Sequence, residues 1–200
     1  MNKLTLLALT LLLSAPAIAE NKFGFFVEPM LTYESGEADV DLPSPFGSSQ
    51  SDINGLGIGG RIGFHAMEVL FVGIDGRYSR LTYENNDTNI DTDATSYNFG
   101  PIIGLQVPGP LGIRVWAGMI TNGEMDLEKD QGVDFTFKDA GGYRVGAGIK
   151  LASVSLNLEY QEITYDKTQM NDAGIFSGST RKVDQEYKSY VLSVSFPFAL

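Results

Sequence analysis

Apolar and polar residues alternate with a period of two along most of this chain. The C-terminal stretch carries Tyr190, Leu192, Val194, Phe196, Phe198 and Leu200 on one parity, with Ser189, Ser193 and Ser195 on the other. That is the periodicity of a strand with one continuous apolar face. Seven earlier stretches repeat it: 23–34, 53–65, 69–83, 95–107, 111–120, 142–151 and 154–165. In 23–34, Phe23, Phe25, Val27, Leu31 and Tyr33 face one way and Glu28, Thr32 and Glu34 the other. In 154–165, Val154, Leu156, Leu158 and Tyr160 oppose Ser155, Asn157, Glu159 and Gln161. Pro29 predicts a bulge or a locally unpaired position, because proline cannot donate to a ladder.

The spacing of these eight strands is itself informative. Three connections are tight: Ala66-Met67-Glu68, Pro108-Gly109-Pro110 and Ala152-Ser153. They alternate with long polar ones over about 35–52, 84–94, 121–141 and 166–185. Connections of two or three residues join antiparallel neighbours. The expected fold is therefore all-β, an eight-stranded antiparallel up-and-down barrel with all its short turns at one end. Phe135 and Phe137 suggest that the third long connection carries a strand extension.

Alternation alone does not say which face looks outward, since a soluble ligand-binding barrel alternates too. Three features put the apolar face toward lipid. The polar face is rich in glycine (Gly57, Gly59, Gly63, Gly73, Gly100, Gly104, Gly146, Gly148), which suits a lumen just wide enough for side chains. The apolar face carries aromatics near strand ends, the positions of two interfacial girdles: Phe23, Tyr33, Phe64, Tyr78, Tyr97, Tyr143, Tyr160 and Phe198. The polar face holds charges of both signs, Glu28, Arg61, Asp75, Arg77, Arg114, Arg144, Lys150 and Glu159. In a narrow lumen these must pair, because an unpaired buried charge costs several kcal/mol. No apolar run of helical membrane-spanning length follows residue 19, so the membrane would be crossed by strands.

Composition adds limits. Residues 1–19 read as a secretory signal, with Lys3, the apolar 4–13 and Ala17-Ile18-Ala19 as a cleavage site, leaving one domain over 20–200. Cysteine is absent, so no disulfide or thiolate site is expected. The formal net charge is −11, and 18 of the 25 acidic residues fall in 35–52, 84–94, 121–141 and 166–186. An acidic rim excludes nucleic acid as a partner. Beside anionic lipopolysaccharide it would recruit divalent cations, and Asp87, Asp91 and Asp93 are the densest candidate for weak Ca²⁺ or Mg²⁺ binding. Otherwise no metal or cofactor is expected.

The apparent signal, the eight alternating segments and the aromatic-rich final strand together resemble the small outer-membrane β-barrel family, which includes the transmembrane domain of outer membrane protein A. The resemblance covers residues 20–200 as a pattern. It implies location in a bacterial outer membrane, contact with its lipid and lipopolysaccharide, and recognition of the last strand by the outer-membrane assembly machinery. The chain departs in ending on Leu200 where the family usually ends on an aromatic.

No catalytic group is evident. His65 is the only histidine and sits beside a short turn, at the end opposite the long connections. Gly55-Leu56-Gly57-Ile58-Gly59-Gly60 matches a nucleotide fingerprint only in spelling, since it lies inside an alternating strand. The expected role is structural or surface-interactive, in a monomer with a charge-plugged lumen. The alternatives are a narrow pore for small or hydrophobic solutes and a lipid-modifying enzyme.

Overall fold

The computed structural model describes residues 23–41, 48–67, 69–85, 90–109, 111–129, 134–172, 179–181 and 185–199. Ten of the eleven strand segments among the described residues make eight spans: β1 (Phe23–Asp41), β2 (Ser48–Ala66), β3 (Leu70–Asn85), β4 (Ile90–Gln106), β5 (Leu111–Ile120) continued by β6 (Asn122–Leu127), β7 (Asp134–Leu151), β8 (Val154–Asp172), and β10 (Gln185–Ser195) continued by β11 (Phe198–Ala199). The short β9 (Ser179–Arg181) lies beside β8. Every span pairs antiparallel with its neighbour in sequence, and β1 pairs with β10 and β11 to close the ring.

The register fixes the barrel's geometry. Following paired residues from Phe25 leads through Phe64, Val72, Ile103, Ala117, Val145, Tyr160 and Tyr190 to Ser35. The path returns ten residues above its start. With strands about 4.8 Å apart, a stagger of this size tilts them by about 40° and gives a backbone radius of about 8 Å. Such a barrel has no room for a wide channel.

Three tight turns close one end. Val69 donates its N–H to the Ala66 carbonyl, and Leu151 pairs directly with Val154. Met67 and Ala152 adopt left-handed φ of 55°, the local cost of such short reversals in non-glycine residues. At the other end the strands run further than the alternation suggested. The connections read as starting at residues 35, 84, 121 and 166 are instead strand through Asp41, Asn85, Leu127 and Asp172. At this tilt an apolar band about 25 Å tall needs only about ten residues. The remaining turns of β1–β4, β7 and β8 stand beyond the lipid as a protruding collar. Its outward residues, among them Glu37, Asp52, Glu84, Asp93 and Asp139, are polar and exposed, which is why the pattern looked like loop.

Two seams stand out among the irregular places in the wall. Between β1 and the last span, pairing lapses at Glu28-Pro29 opposite Phe196-Pro197, with Phe196 N–H donating to the Pro29 carbonyl. Pro29 thus lies at an interrupted position on that side, as its chemistry requires. The second seam lies between β6 and β7, where ladder pairs are absent from residues 121–124 and 138–141.

Candidate functional site

The outer face of the barrel is greasy. Leu31, Leu56, Ile58, Ile62, Ile74, Ile103, Ile113, Leu156, Leu158 and Leu192 all point outward and are exposed. Tyr33, Tyr78, Tyr97, Tyr143 and Tyr190 are outward too, at the collar end of this band, with Tyr160 half-buried beside them. The rings are linked by register: Tyr78 pairs with Tyr97, and Tyr160 with Tyr190 at a centroid distance of 5.5 Å. Phe23, Phe25, Phe64 and Phe198 crowd the turn end, where Phe25 meets Phe64 edge-on at 5.6 Å. An apolar band between two aromatic belts is what a hydrocarbon layer with two interfaces selects.

The inside is layered. Nearest the turns, Phe26, Phe71, Ile102 and Trp116 form a small buried cluster. His65 stacks on Phe26 at 4.5 Å and approaches Phe71 at 6.0 Å. Glycine makes this layer possible: a Cβ at Gly104 would overlap the Phe71 ring, and one at Gly146 the Trp116 indole.

Above it lies a network of charges sealed from solvent. Arg114 forms a two-pronged pair with Glu28, both bonds 2.8 Å, and both side chains are fully buried. Ser195 donates a further bond to Glu28 at 2.7 Å. Asp75 receives Arg61 at 2.6 Å, Arg77 at 3.2 Å and Arg144 on the same carboxylate. Glu159 takes Arg61 at 3.2 Å, Arg77, and the Trp116 indole N–H at 2.5 Å. Arg144 also reaches the Asn98 side-chain oxygen. The Arg61 guanidinium lies 4.4 Å from the centre of the Trp116 ring, and Arg114 lies 5.0 Å from Phe71. The cations therefore rest on the aromatic layer beneath them.

A second polar node centres on Glu34, which accepts bonds from Ser79 at 3.3 Å, Tyr187 at 2.8 Å, Ser189 at 2.9 Å and the Gln161 amide. With Glu34 included, four buried arginines face four buried carboxylates among the described residues, so the charges of this network balance.

The collar has a dry core of its own. Ile53, Leu81, Tyr83, Ile120, Met125, Phe137, Ile163, Tyr165 and Tyr187 point inward and pack together. Burial holds the phenols of Tyr165 and Tyr187 above their ordinary titration range, so both are neutral, and Tyr187 donates to Glu34.

Among the candidate residues, the structure brings Glu28, Arg61, Asp75, Arg77, Arg114, Arg144 and Glu159 together. Lys150 is half-buried near the turn end, and the ion pairs among the described residues do not include it. Of the metal candidates, Asp87 lies outside the described residues and Asp93 is an exposed side chain of β4. No group of three metal-ligating side chains occurs among the described residues. His65 sits at the turn end with aromatic neighbours. Sequence reasoning left out Glu34, Asn98, Trp116 and Ser195 as network members, although Glu34 and Trp116 share the parity of Glu28 and Arg114, and Asn98 and Ser195 lie on the polar face of their strands.

A closed ring of eight antiparallel strands, apolar outside and ion-paired inside, agrees with a match to known proteins. The family model described as outer membrane protein beta-barrel domain matches residues 5–198. The chain belongs to this family. Its members' location in the outer membrane places the short turns on the periplasmic side and the collar outside the cell. No curated protein matches the sequence. Among solved structures, the outer membrane protein OprG from Pseudomonas aeruginosa is similar at a TM-score of 0.59 and 11% identity, over 89% of this chain and 97% of that one. Neisserial surface protein A matches at 0.46 and 17%, over 87% and 97%. Ail of Yersinia pestis matches at 0.49 and 13%, over 87% and 99%. At these identities the likeness is one of fold.

Proposed function

We propose that this outer-membrane barrel is a closed scaffold that presents its collar and loops at the cell surface, in a structural or surface-interaction role. The observation that carries the reading is the set of buried side chains inside the ring. Two groups of them would obstruct the axis in series: the arginine–carboxylate network and the apolar core of the collar. A water channel through an eight-stranded barrel would need the four arginines to leave their carboxylates, and breaking one buried pair costs about 3–5 kcal/mol. The acidic outward face of the collar would meet lipopolysaccharide through divalent cations, and the last span would be the one read by the assembly machinery. The reading assigns no reaction, since the sole histidine sits at the periplasmic end against Phe26.

Planar-bilayer recording of the purified, folded protein tests this. The expected result is no discrete conductance. Reproducible steps that change in size in Arg114→Ala or Arg144→Ala would replace the scaffold with a narrow pore.

A further inference from the structure

The seam between β6 and β7 lies at the outer membrane interface. β5 and β7 stay in register up to Ile120 opposite Gly142, and pairing resumes only at Met125 opposite Phe137 and Asp126 opposite Thr136. In between, Asp139 takes a left-handed φ of 58°, and the buried positions jump from Ile120 to Gly123 on the facing strand. Two opposed irregularities hold the strands apart.

A cavity of about 410 Å³ opens at this seam, within the range of about 300–1,000 Å³ found for small-ligand sites. Its floor is the Thr95–Tyr97 stretch of β4. Tyr78 and Tyr97, paired neighbours of the outer aromatic belt, form one side. Glu124, Asp126 and Lys138 line the rest. Glu124 is the cross-strand partner of Tyr97, and the Thr136 hydroxyl donates to Asp126 at 2.6 Å. The Asp126 carboxylate is thus already held in position before any ligand arrives.

This chemistry selects narrowly. Two carboxylates against one ammonium repel a phosphate. Carboxylates and hydroxyls together accept from and donate to neutral hydroxyl or amine groups. The tyrosine rings offer an apolar face with a polar tip. An unphosphorylated sugar ring presents both kinds of surface at once. At this height, what drifts past the wall is the head group of an outer-leaflet lipid. We propose that the cavity binds the unphosphorylated sugar ring of a membrane glycolipid, with Glu124 and Asp126 taking its hydroxyl or amine hydrogens, Lys138 donating to a ring substituent, and Tyr78 and Tyr97 packing on its face. The site stands apart from the closed lumen, so the two can fail separately.

The test uses folded full-length protein in nanodiscs, with heat-modifiable gel migration to establish folding of each variant. Binding is titrated with chitobiose as a free sugar and with an alkyl glucosaminide incorporated in the nanodisc. Saturable binding of both is expected, tighter for the lipid-linked form, and weakened at least tenfold in a folded Glu124→Gln, Asp126→Asn double variant. Glu162→Gln, on the neighbouring strand β8 beside Tyr143 and Tyr160 and outside the cavity lining, should bind as the parent does. Absence of saturable binding, equal binding by the double variant, or displacement of the sugar by inorganic phosphate would overturn the site. Free sugar binding as tightly as the lipid-linked form would overturn the lipid as its source.

Discussion

The Arg114–Glu28 pair offers the sharpest test of a dry, sealed lumen. Two bonds of 2.8 Å join fully buried groups, and Glu28 has Ser195 and the Arg61 guanidinium, 3.7 Å away, as its other polar neighbours. Glu28→Gln leaves four arginines facing three carboxylates, one net positive charge at a fully buried position. Charge-assisted bonds contribute about 1.5–3 kcal/mol each, and losing one member of a buried pair costs about 3–5 kcal/mol. Arg114→Met should cost a similar amount in the opposite sense, with about 1 kcal/mol more for its contact with Phe71. The double variant restores neutrality, so its cost should fall short of the sum by about 2 kcal/mol or more. Reversible denaturant unfolding in phospholipid vesicles, followed by the fluorescence of the sole tryptophan, gives all four stabilities. Additivity within about 0.5 kcal/mol would mean that each charge is separately hydrated, and the closed-lumen account would fail.

Other outcomes follow from the same geometry. Leu158→Arg, outward and near the middle of the apolar band, should destabilise the vesicle-embedded barrel by about 2–4 kcal/mol, against about 0–1 for Glu84→Arg on the collar, by the same unfolding assay. Gly146→Ala pushes a methyl group into the Trp116 indole. It should cost about 1–3 kcal/mol and shift the tryptophan emission, which an unchanged spectrum would contradict. Ala152→Gly relieves the left-handed φ of 55° in the two-residue turn and should raise stability by about 0.5–1 kcal/mol.

The parity of charged and greasy residues was enough to read the membrane band and its eight spans, because lipid contact imposes a strict period of two on every strand. It was also enough to place Arg61, Asp75 and Arg77 on the inner face. The collar was not legible. Beyond the lipid, nothing requires the outward face to be apolar, so Glu37, Asp39 and Glu84 made β1 and β3 look finished too early. Inside the collar the alternation inverts, with Ile53, Tyr83 and Ile163 pointing in, and the breaks at Thr121 and Asp139 shift the parity of β6 and β7 against β5. Glu34 shared the inner parity, but only the register shows that Tyr187, Ser189 and Gln161 converge on it. The cavity at the seam depends on two irregularities on different strands meeting at one height, which no single segment reveals.

The claim on which the rest depends is that successive residues of one span look alternately at hydrocarbon and at a sealed interior. The chain has no cysteine, so single nitroxide labels can be placed one at a time along 154–161 of the reconstituted protein. Collision accessibility to oxygen and to a water-soluble nickel chelate should alternate: Leu156 and Leu158 open to oxygen and shielded from nickel, Asn157 and Glu159 shielded from both. Nickel reaching positions 157 and 159 as freely as bulk solvent, or positions 156 and 158 shielded from oxygen, would contradict the account.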